Sequence, residues 1–314
     1  MKKLSLVICV YNEELNIAPL SKQIQEALRG FDYEAIFVDD GSTDATRSEI
    51  LKINDEHFLL VELKRNYGQS SALQAGIDQA EGEFVVLLDG DLQNDPADIP
   101  MMLKIAEEGE YDLVSGVRAN RRDGMFLRKI PSKIANYIIR KSTGTKMKDL
   151  GCTLKVFTRE TAKSIHIYGE LHRYIPVLAS LEGATRFTQV DVNHKPREFG
   201  KSKYNLTRTT KVVSDLLLML FLKKYLQKPM HFFGVLGIVT LLIGGAINVY
   251  MLILKIMGNE IWGKPLMILG VFLVMGGIQF ITIGIIAELQ MRTYFESQKK
   301  TPYRVKRVIP AKED

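Results

Sequence analysis

The sequence is poor in residues that staple, coordinate or repeat. It has two cysteines, Cys9 and Cys152, in 314 residues. A disulfide framework is therefore excluded, and reduced thiols in a cytosolic setting are expected. Its histidines, at 57, 166, 172, 194 and 231, do not have the spacing of a zinc site. No G-x-G-x-x-G follows an apolar run, which removes the phosphate loop of a dinucleotide dehydrogenase, and no Walker lysine loop occurs. There is no internal repeat and no low-complexity linker. Lys plus Arg number 42 against 36 Asp plus Glu, a net charge of +6. That excess alone admits nucleic acid or an anionic membrane as partner. No nucleic-acid-binding motif accompanies it, so nucleic acid is not expected. With 46% apolar residues, the chain is neither disordered nor collagen-like.

Nearly all charge lies before Lys228 or after Ala287. From Met230 to Leu254 nothing is charged except a protonated His231, and from Leu266 to Ala287 nothing is charged at all. Each run reaches the ~20 residues that an α-helix needs to cross a bilayer, and core helices of soluble proteins are seldom so apolar all round. Glycines are frequent in both runs, but no clean pair of GxxxG faces is forced. The segment before the first run carries Lys223, Lys224 and Lys228. The tail after the second carries Arg292, Lys299, Lys300, Arg304, Lys306, Arg307 and Lys312. The loop between has only Lys255 at its edge and Lys264 inside. The positive-inside rule then places both termini in the cytoplasm and leaves a short external loop, with Trp262, the only tryptophan, as an interfacial anchor. A multi-pass protein of the cytoplasmic membrane is expected.

Met1-Lys2-Lys3 could open a signal peptide, but the apolar run Leu4 to Val10 is short and stops at Tyr11-Asn12-Glu13-Glu14 without a cleavage site. A buried strand is the better reading, and the N-terminal domain is expected to stay in the cytosol. Between Asn205 and Gln227, Val212, Val213, Leu216, Leu217, Leu220 and Phe221 recur at helical spacing among Arg208, Lys211, Lys223 and Lys224. This pattern fits interfacial helices at the lipid boundary; a helix packed on the globular domain fits it too. The expected organisation is a cytosolic domain over 1–204, interfacial helices over 205–229, a transmembrane hairpin over 230–289 and a cytosolic tail over 290–314.

Within the first domain, strand-like and helix-like segments alternate. Strands are expected at Leu4–Val10, Tyr33–Val38, Phe58–Leu63 and Phe84–Leu88. Helices are expected at Leu15–Leu28, Asp44–Ile53 (capped by Ser42 or Thr43) and Ser70–Ala80. The order argues an α/β domain with a mainly parallel sheet covered on both faces. Ligands of such sheets bind beyond the carboxyl ends of the strands, where Asp39-Asp40 and Asp89-Gly90-Asp91 both fall. A lone D-x-D is as readily an exposed turn. Here it follows an apolar strand and is joined by a second acidic pair, so the four carboxylates are expected to share one crevice. Hard oxygens of this kind suit Mg²⁺ or Mn²⁺, which use one or two carboxylates plus substrate phosphates.

Val10-Tyr11-Asn12-Glu13-Glu14, Val38-Asp39-Asp40-Gly41-Ser42-Thr43-Asp44 and Asp89-Gly90-Asp91-Leu92-Gln93 resemble the signatures of family 2 glycosyltransferases with the GT-A fold. Arg65-Asn66-Tyr67-Gly68-Gln69, Thr143-Gly144, Asp149-Leu150-Gly151-Cys152 and Arg197-Glu198-Phe199-Gly200-Lys201-Ser202-Lys203-Tyr204, with the two apolar runs, narrow the likeness. They resemble polyprenyl-phosphate glycosyltransferases: bactoprenol glucosyltransferases, dolichol-phosphate mannose synthases and, most closely, undecaprenyl-phosphate aminoarabinose-type transferases. The likeness covers almost the whole chain and does not identify the sugar.

The resemblance implies a Rossmann-like GT-A domain, a nucleotide diphosphate sugar donor, a polyprenyl phosphate acceptor in the bilayer, and Mg²⁺ or Mn²⁺. In some members it also implies a homotetramer. Tyr11, Glu13 and Asp40 would contact the nucleotide. Asp89 would lie near it, and Asp89, Asp91 and Gln93 would hold the metal. Arg197 and Lys203 would contact the diphosphate, and Arg118, Arg128 and Ser132 the lipid phosphate. Asp91, Asp149 and Arg118 are the catalytic candidates. Two departures stand out. The family's Asp-Ala-Asp is Asp-Gly-Asp here, which should loosen the turn and keep its ligands. The D-F-R stretch that supplies a base in some relatives is replaced by Leu150-Gly151-Cys152-Thr153, leaving Asp149 as stand-in.

The chemistry needs no base. A lipid monophosphate has its second pKa near ~6 and is already largely dianionic at neutral pH. One displacement by its oxygen inverts the anomeric carbon. Arg118, Arg121, Arg122, Arg128, Lys129 and Lys133 supply positive charge for that acceptor; for individual members a solvated basic surface fits equally. The donor is expected to be UDP-linked. GDP-mannose transfer to dolichol phosphate and a non-catalytic scaffold of the same fold are the alternatives. A processive polysaccharide synthase is disfavoured, because the chain lacks a Gln-x-x-Arg-Trp motif and has only two spans.

Overall fold

The computed structural model describes residues 3–118, 147–167, 169, 171–197, 221, 225 and 228–297. The chain divides into two compact units, Met1–Met219 and Leu220–Asp314.

The first unit is built on a seven-stranded sheet of order β3-β2-β1-β4-β6-β5-β7. Its strands are β1 (Leu4–Val10), β2 (Tyr33–Asp39), β3 (Phe58–Glu62), β4 (Phe84–Asp89), β5 (Leu113–Arg118), β6 (Lys155–Thr158) and β7 (Phe187–Val192). β1 pairs in parallel with β2 and β4, and β2 with β3, as the alternating pattern predicts. β6 runs antiparallel to both β4 and β5, while β5 and β7 are parallel. The sheet is thus mixed but mainly parallel.

Helices cover both faces. They are α1 (Glu14–Ala27), α2 (Thr46–Leu51), α3 (Gln69–Gln79), α4 (Ile99–Glu108), α5 (Arg159–Ser164) and α6 (Ile175–Leu181). Leu4, Leu6, Ile8 and Val10 of β1 join Ile17, Leu20 and Ile24 of α1 and Met102, Leu103 and Ala106 of α4 in one buried cluster. Val7 points to the other face, where α3 comes so near that a Cβ on Gly76 would stand 2.3 Å from Val7 Cγ1. The period-2 alternation of β1 therefore sorts its side chains between two helical layers.

α2 is shorter than expected, and its cap differs. Ser42 and Thr43 are engaged elsewhere: Ser42 Oγ donates to Asp39 Oδ1 at 2.5 Å and accepts from the Asn12 amide at 2.9 Å, and the Thr43 amide donates to Asn12 Oδ1 at 2.8 Å. Asp44 serves the helix start instead, its Oδ1 accepting from the Thr46 amide at 3.0 Å and hydroxyl at 2.5 Å. The two residues expected as caps tie the β2 turn to the β1 turn, which fixes the floor of the crevice.

The second unit is a hairpin of α7 (Pro229–Ile256) and α8 (Pro265–Ser297), both long and apolar enough to cross a membrane. Their contact is a glycine seam with seven-residue spacing, not a GxxxG face. A Cβ on Gly237 would stand 2.8 Å from Gly277 O, and one on Gly244 would stand 2.8 Å from Gly270 O. Gly284 completes the row against Met230 and Phe233. Small residues let two backbones approach where lipid offers no hydrophobic drive for association. α8 runs past the apolar stretch to Ser297.

Candidate active site

The parallel strands β1, β2 and β4 end side by side, Val10 opposite Asp39 and Cys9 opposite Asp89. This register brings the two acidic clusters to one edge. The Asp40 amide donates to Val10 O at 2.9 Å, and the Asp40 carboxylate accepts from the amides of Tyr67 at 2.7 Å and Gly68 at 2.9 Å. Burial pushes the Asp40 carboxyl above its usual range; the two amides work against that, and Asp39 adds to it. Gly41 sits at φ 72°, and a Cβ there would meet Arg65 C at 2.5 Å, so only glycine lets this turn pass under the Arg65–Asn66 backbone.

Asp89 closes β4 and accepts from Gln69 Nε2 at 2.9 Å. Burial, then the charge of Asp91, raises its carboxyl to about 6; the Thr153 side chain, Lys155 and Arg118 pull it down. Asp91 is raised as well, first by burial, with Glu13 adding to the shift and Arg197 and His194 opposing it. Gly90 between them is buried, and a Cβ there would stand 2.4 Å from Val10 Cγ1. The glycine does not loosen the turn: it seats the turn against β1 and keeps both carboxylates.

The segment after β7 folds back on this turn. Asn94 bridges to His194, the Lys195 amide donates to Gln93 O at 2.8 Å, and Gln93 Nε2 reaches Lys195 O at 3.4 Å. The register carries Arg197 to the site, where it pairs with Glu13 and lies 3.7 Å from Asp91 Oδ2. On the other side, Arg118 at the end of β5 is forked onto Asp149, Nε to Oδ2 at 2.8 Å and Nη2 to Oδ1 at 3.0 Å. Burial disfavours the Asp149 charge, but the guanidinium and the amides of Arg118 and Gly151 hold its carboxyl below the usual range. A carboxylate so held is a weak proton acceptor.

Tyr11, Glu13, Asp40, Asp89, Asp91, Gln93, Arg118, Asp149 and Arg197 therefore all lie at one edge of the sheet, Asp89 and Arg118 as the last residues of their strands and the others in the adjoining loops. Arg121, Arg122, Arg128, Lys129, Ser132, Lys133, Thr143, Gly144 and Lys203 lie outside the described residues, as does most of the expected interfacial segment.

Sequence reasoning gave no role to Gln69, Thr153 or Lys155. Lys155 is buried in β6, its Nζ on Cys152 O, and burial pushes its ammonium down. Its one sequence signal is a lone lysine inside the apolar run Leu154 to Phe157.

The donor set fits a hard divalent cation. Two neighbouring, largely desolvated carboxylates whose pKa values are both raised, Asp89 partly by the charge of Asp91, gain from a cation between them. Among the described residues no group of three or more His, Cys, Asp or Glu is arranged to hold a metal ion; a divalent cation bound through one or two carboxylates takes its other ligands from substrate phosphates and water.

Residues 5–165 match the family model described as Glycosyl transferase family 2. The chain is 43% identical to dodecaprenyl-phosphate galacturonate synthase of Rhizobium johnstonii, covering 98% of this chain and 93% of that one. It is 36% identical to undecaprenyl-phosphate 4-deoxy-4-formamido-L-arabinose transferase of Yersinia pestis, covering 100% and 95%. Among solved structures, glucosyl-3-phosphoglycerate synthase from Mycobacterium tuberculosis in complex with Mn²⁺, UDP-glucose and phosphoglyceric acid superposes with a TM-score of 0.57. It is 19% identical, over 71% of this chain and 79% of that one, a likeness of fold.

Proposed function

This chain belongs to the family 2 glycosyltransferases, and from that premise we propose that it transfers a sugar from a nucleotide diphosphate sugar to a polyprenyl phosphate at the cytosolic face of a membrane. The observation that carries the reading is one carboxylate pair, Asp89 and Asp91, flanked by two arginines, Arg197 on one side and Arg118 on the other. Such a site is built for two anionic phosphates held close together. The near-full-length relatives are named for a prenyl phosphate and a sugar, which supports the same acceptor here. We take the donor as UDP-linked, from the resemblance to bacterial UDP-sugar enzymes.

In this reading Tyr11, Glu13 and Asp40 hold the nucleoside. Arg197 and Lys203 meet the diphosphate. Asp89, Asp91 and Gln93 would hold Mg²⁺ or Mn²⁺, which when bound neutralises the charge of the departing nucleotide diphosphate. Arg118, with Arg128 and Ser132, grips the acceptor phosphate. Its dianionic oxygen attacks the anomeric carbon, the bond to the diphosphate breaks, and configuration inverts. Asp149 takes no proton: its carboxylate keeps the Arg118 guanidinium aimed, so the contribution of the chain is positioning and electrostatics. The two apolar helices span the bilayer with both termini cytosolic, which keeps this edge of the sheet on the side of the nucleotide sugar.

The test incubates membranes containing the protein with a panel of radiolabelled nucleotide sugars and undecaprenyl phosphate. One UDP-sugar should label an organic-soluble product that depends on the added lipid phosphate. No product from the whole panel, or a product that forms without lipid phosphate, refutes the reading.

A further inference from the structure

Asn16 lies in the first turn of α1, behind the site, and is 1% exposed. Its carboxamide carries two N–H donors and an acceptor oxygen. The oxygen is buried and has no hydrogen-bond partner among the described residues. The nitrogen donates to Glu13 Oε2 at 2.5 Å. That contact fixes which way the amide points, because a carboxylate only accepts, and the opposite placement would set oxygen against oxygen. A buried amide with its oxygen unmatched is costly to keep. The helix start does not need it: the Asn16 main-chain amide already donates to Glu13 O at 2.9 Å. What the side chain supplies is an N–H for one oxygen of Glu13.

The other oxygen of Glu13, Oε1, pairs with Arg197 Nη2, and Arg197 Nη1 lies 3.7 Å from Asp91 Oδ2. Asn16, Glu13, Arg197 and Asp91 thus form a row. It runs from the start of α1, through the segment after β7, to the turn after β4. The last torsion of a glutamate side chain is soft, so a carboxylate gripped at one oxygen alone swivels. Gripped at Oε2 as well, Glu13 keeps Oε1 on the guanidinium. Each of its oxygens retains a second acceptor site for a nucleoside hydroxyl.

We propose that Asn16 is a positioning residue for the donor: by fixing Oε2 of Glu13 it aims Oε1 at Arg197 and seats that guanidinium beside the carboxylate turn, where the donor diphosphate is received. Asn16 touches no reacting atom and acts through Glu13. An aliphatic side chain would fill the same space without the N–H, and a carboxylate would keep the shape and repel.

The inference rests on reading Arg197 as the diphosphate contact, and the experiment separates the two. The full-length protein in detergent is titrated calorimetrically with UDP, and separately with GDP, in the presence of Mg²⁺. The native chain should bind one of them; binding of neither overturns the donor reading and the assignment of Asn16 with it. Asn16→Ala should weaken the binding about 10-fold, the low end for a charge-assisted hydrogen bond. Asn16→Asp keeps the shape and loses the donor. At pH ~8 it should bind no better than Asn16→Ala. As pH falls to ~5.5 its affinity relative to native should recover, because two carboxylates in contact share a proton and the shared proton restores the hydrogen bond. In a Glu13→Ala background, Asn16→Ala should change the affinity by no more than about 2-fold. If Asn16→Asp binds like native at pH ~8, or if the loss from Asn16→Ala is as large with Glu13 already removed, Asn16 only fills space. Either result overturns the assignment, and nucleotide binding by the native chain then leaves the glycosyl-transfer reading standing.

Discussion

Asp149→Asn tests how Arg118, the arginine proposed to hold the acceptor phosphate, is itself held. Arg118 donates through Nε and Nη2 to the two oxygens of Asp149 at 2.8 and 3.0 Å. The two side chains are 17% and 16% exposed, so little water is at hand to replace a lost partner. Asparagine offers one acceptor oxygen in place of two and no charge. Arg118 therefore loses one branch of its fork, and its guanidinium gains freedom to swing. A charge-assisted hydrogen bond in such a place is worth about 1.5–3 kcal/mol, or about 10- to 100-fold. Expected is a fall of that size in kcat/KM for polyprenyl phosphate, with KM for the nucleotide sugar unchanged. The stability effect has a defined sign. The folded carboxyl lies below its ordinary value. Its contribution is therefore present above the unfolded value near ~3.9 and is lost as pH falls through the lower folded value. Thermal unfolding should show a constant gap between native and variant from pH ~5 to 8 that closes below pH ~4. Initial rates at varied acceptor, with melting curves across that pH range, make the assay. A loss of about 10³-fold or more joined to disappearance of a near-neutral limb in the pH–rate profile would identify Asp149 as a proton acceptor instead and refute the reasoning.

Asp91→Asn should abolish transfer while the protein remains folded in membranes, and EDTA should silence the native enzyme until Mg²⁺ or Mn²⁺ is added; full activity in chelator would remove the metal from the site. The Asp89 carboxyl, raised to about 6, carries the opposite linkage to Asp149. In chelator, its contribution is greatest below pH ~3.9 and is lost as pH rises through about 6, so the melting temperature should drop between pH ~4 and 6 and be restored above that range by adding Mn²⁺. A melting temperature indifferent to Mn²⁺ at pH ~7 counts against that. Gly90→Ala places a methyl 2.4 Å from Val10 Cγ1 and should cost about 1–3 kcal/mol as overpacking does. Val10→Ala in the same chain should restore most of it, and equal loss in both would place the strain elsewhere. A cysteine introduced near Trp262 should be labelled by an impermeant maleimide from outside and one near Lys306 should not; the reverse pattern overturns the orientation.

Local chemistry made much of this protein legible in one dimension. A charge-free stretch of bilayer length is a property of composition, so both long helices were visible. The first four strands followed from short apolar runs alternating with helical periods, and two of them, β2 and β4, run into aspartates, which in a parallel α/β sheet must fall at the same edge. The carboxylates at that edge were visible for the same reason. β6 was not, since an antiparallel strand between β4 and β5 is a matter of long-range pairing that leaves no local period. Nor was the cap of α2, because Ser42 and Thr43 look like caps until Asn12, thirty residues away, takes their hydrogen bonds.

The pairings that give the carboxylates their character belong to the tertiary structure alone. Arg118 and Asp149 meet across 31 residues and Glu13 and Arg197 across 184. No spacing rule connects them, and the opposite pKa shifts of Asp149 and Asp89 come from burial and neighbours that exist only after the sheet has closed. In the second unit, too, the sequence supplied many glycines, and only the packing of α7 on α8 decided their roles. Gly237, Gly244, Gly270, Gly277 and Gly284 are filled by the opposite helix, while Gly276 faces outward. Composition determined that these helices are long and apolar enough to cross a membrane, because transfer free energy sums over residues one at a time. Which face each residue occupies depends on how two helices rotate against each other, and that is set by contacts between residues far apart in the chain.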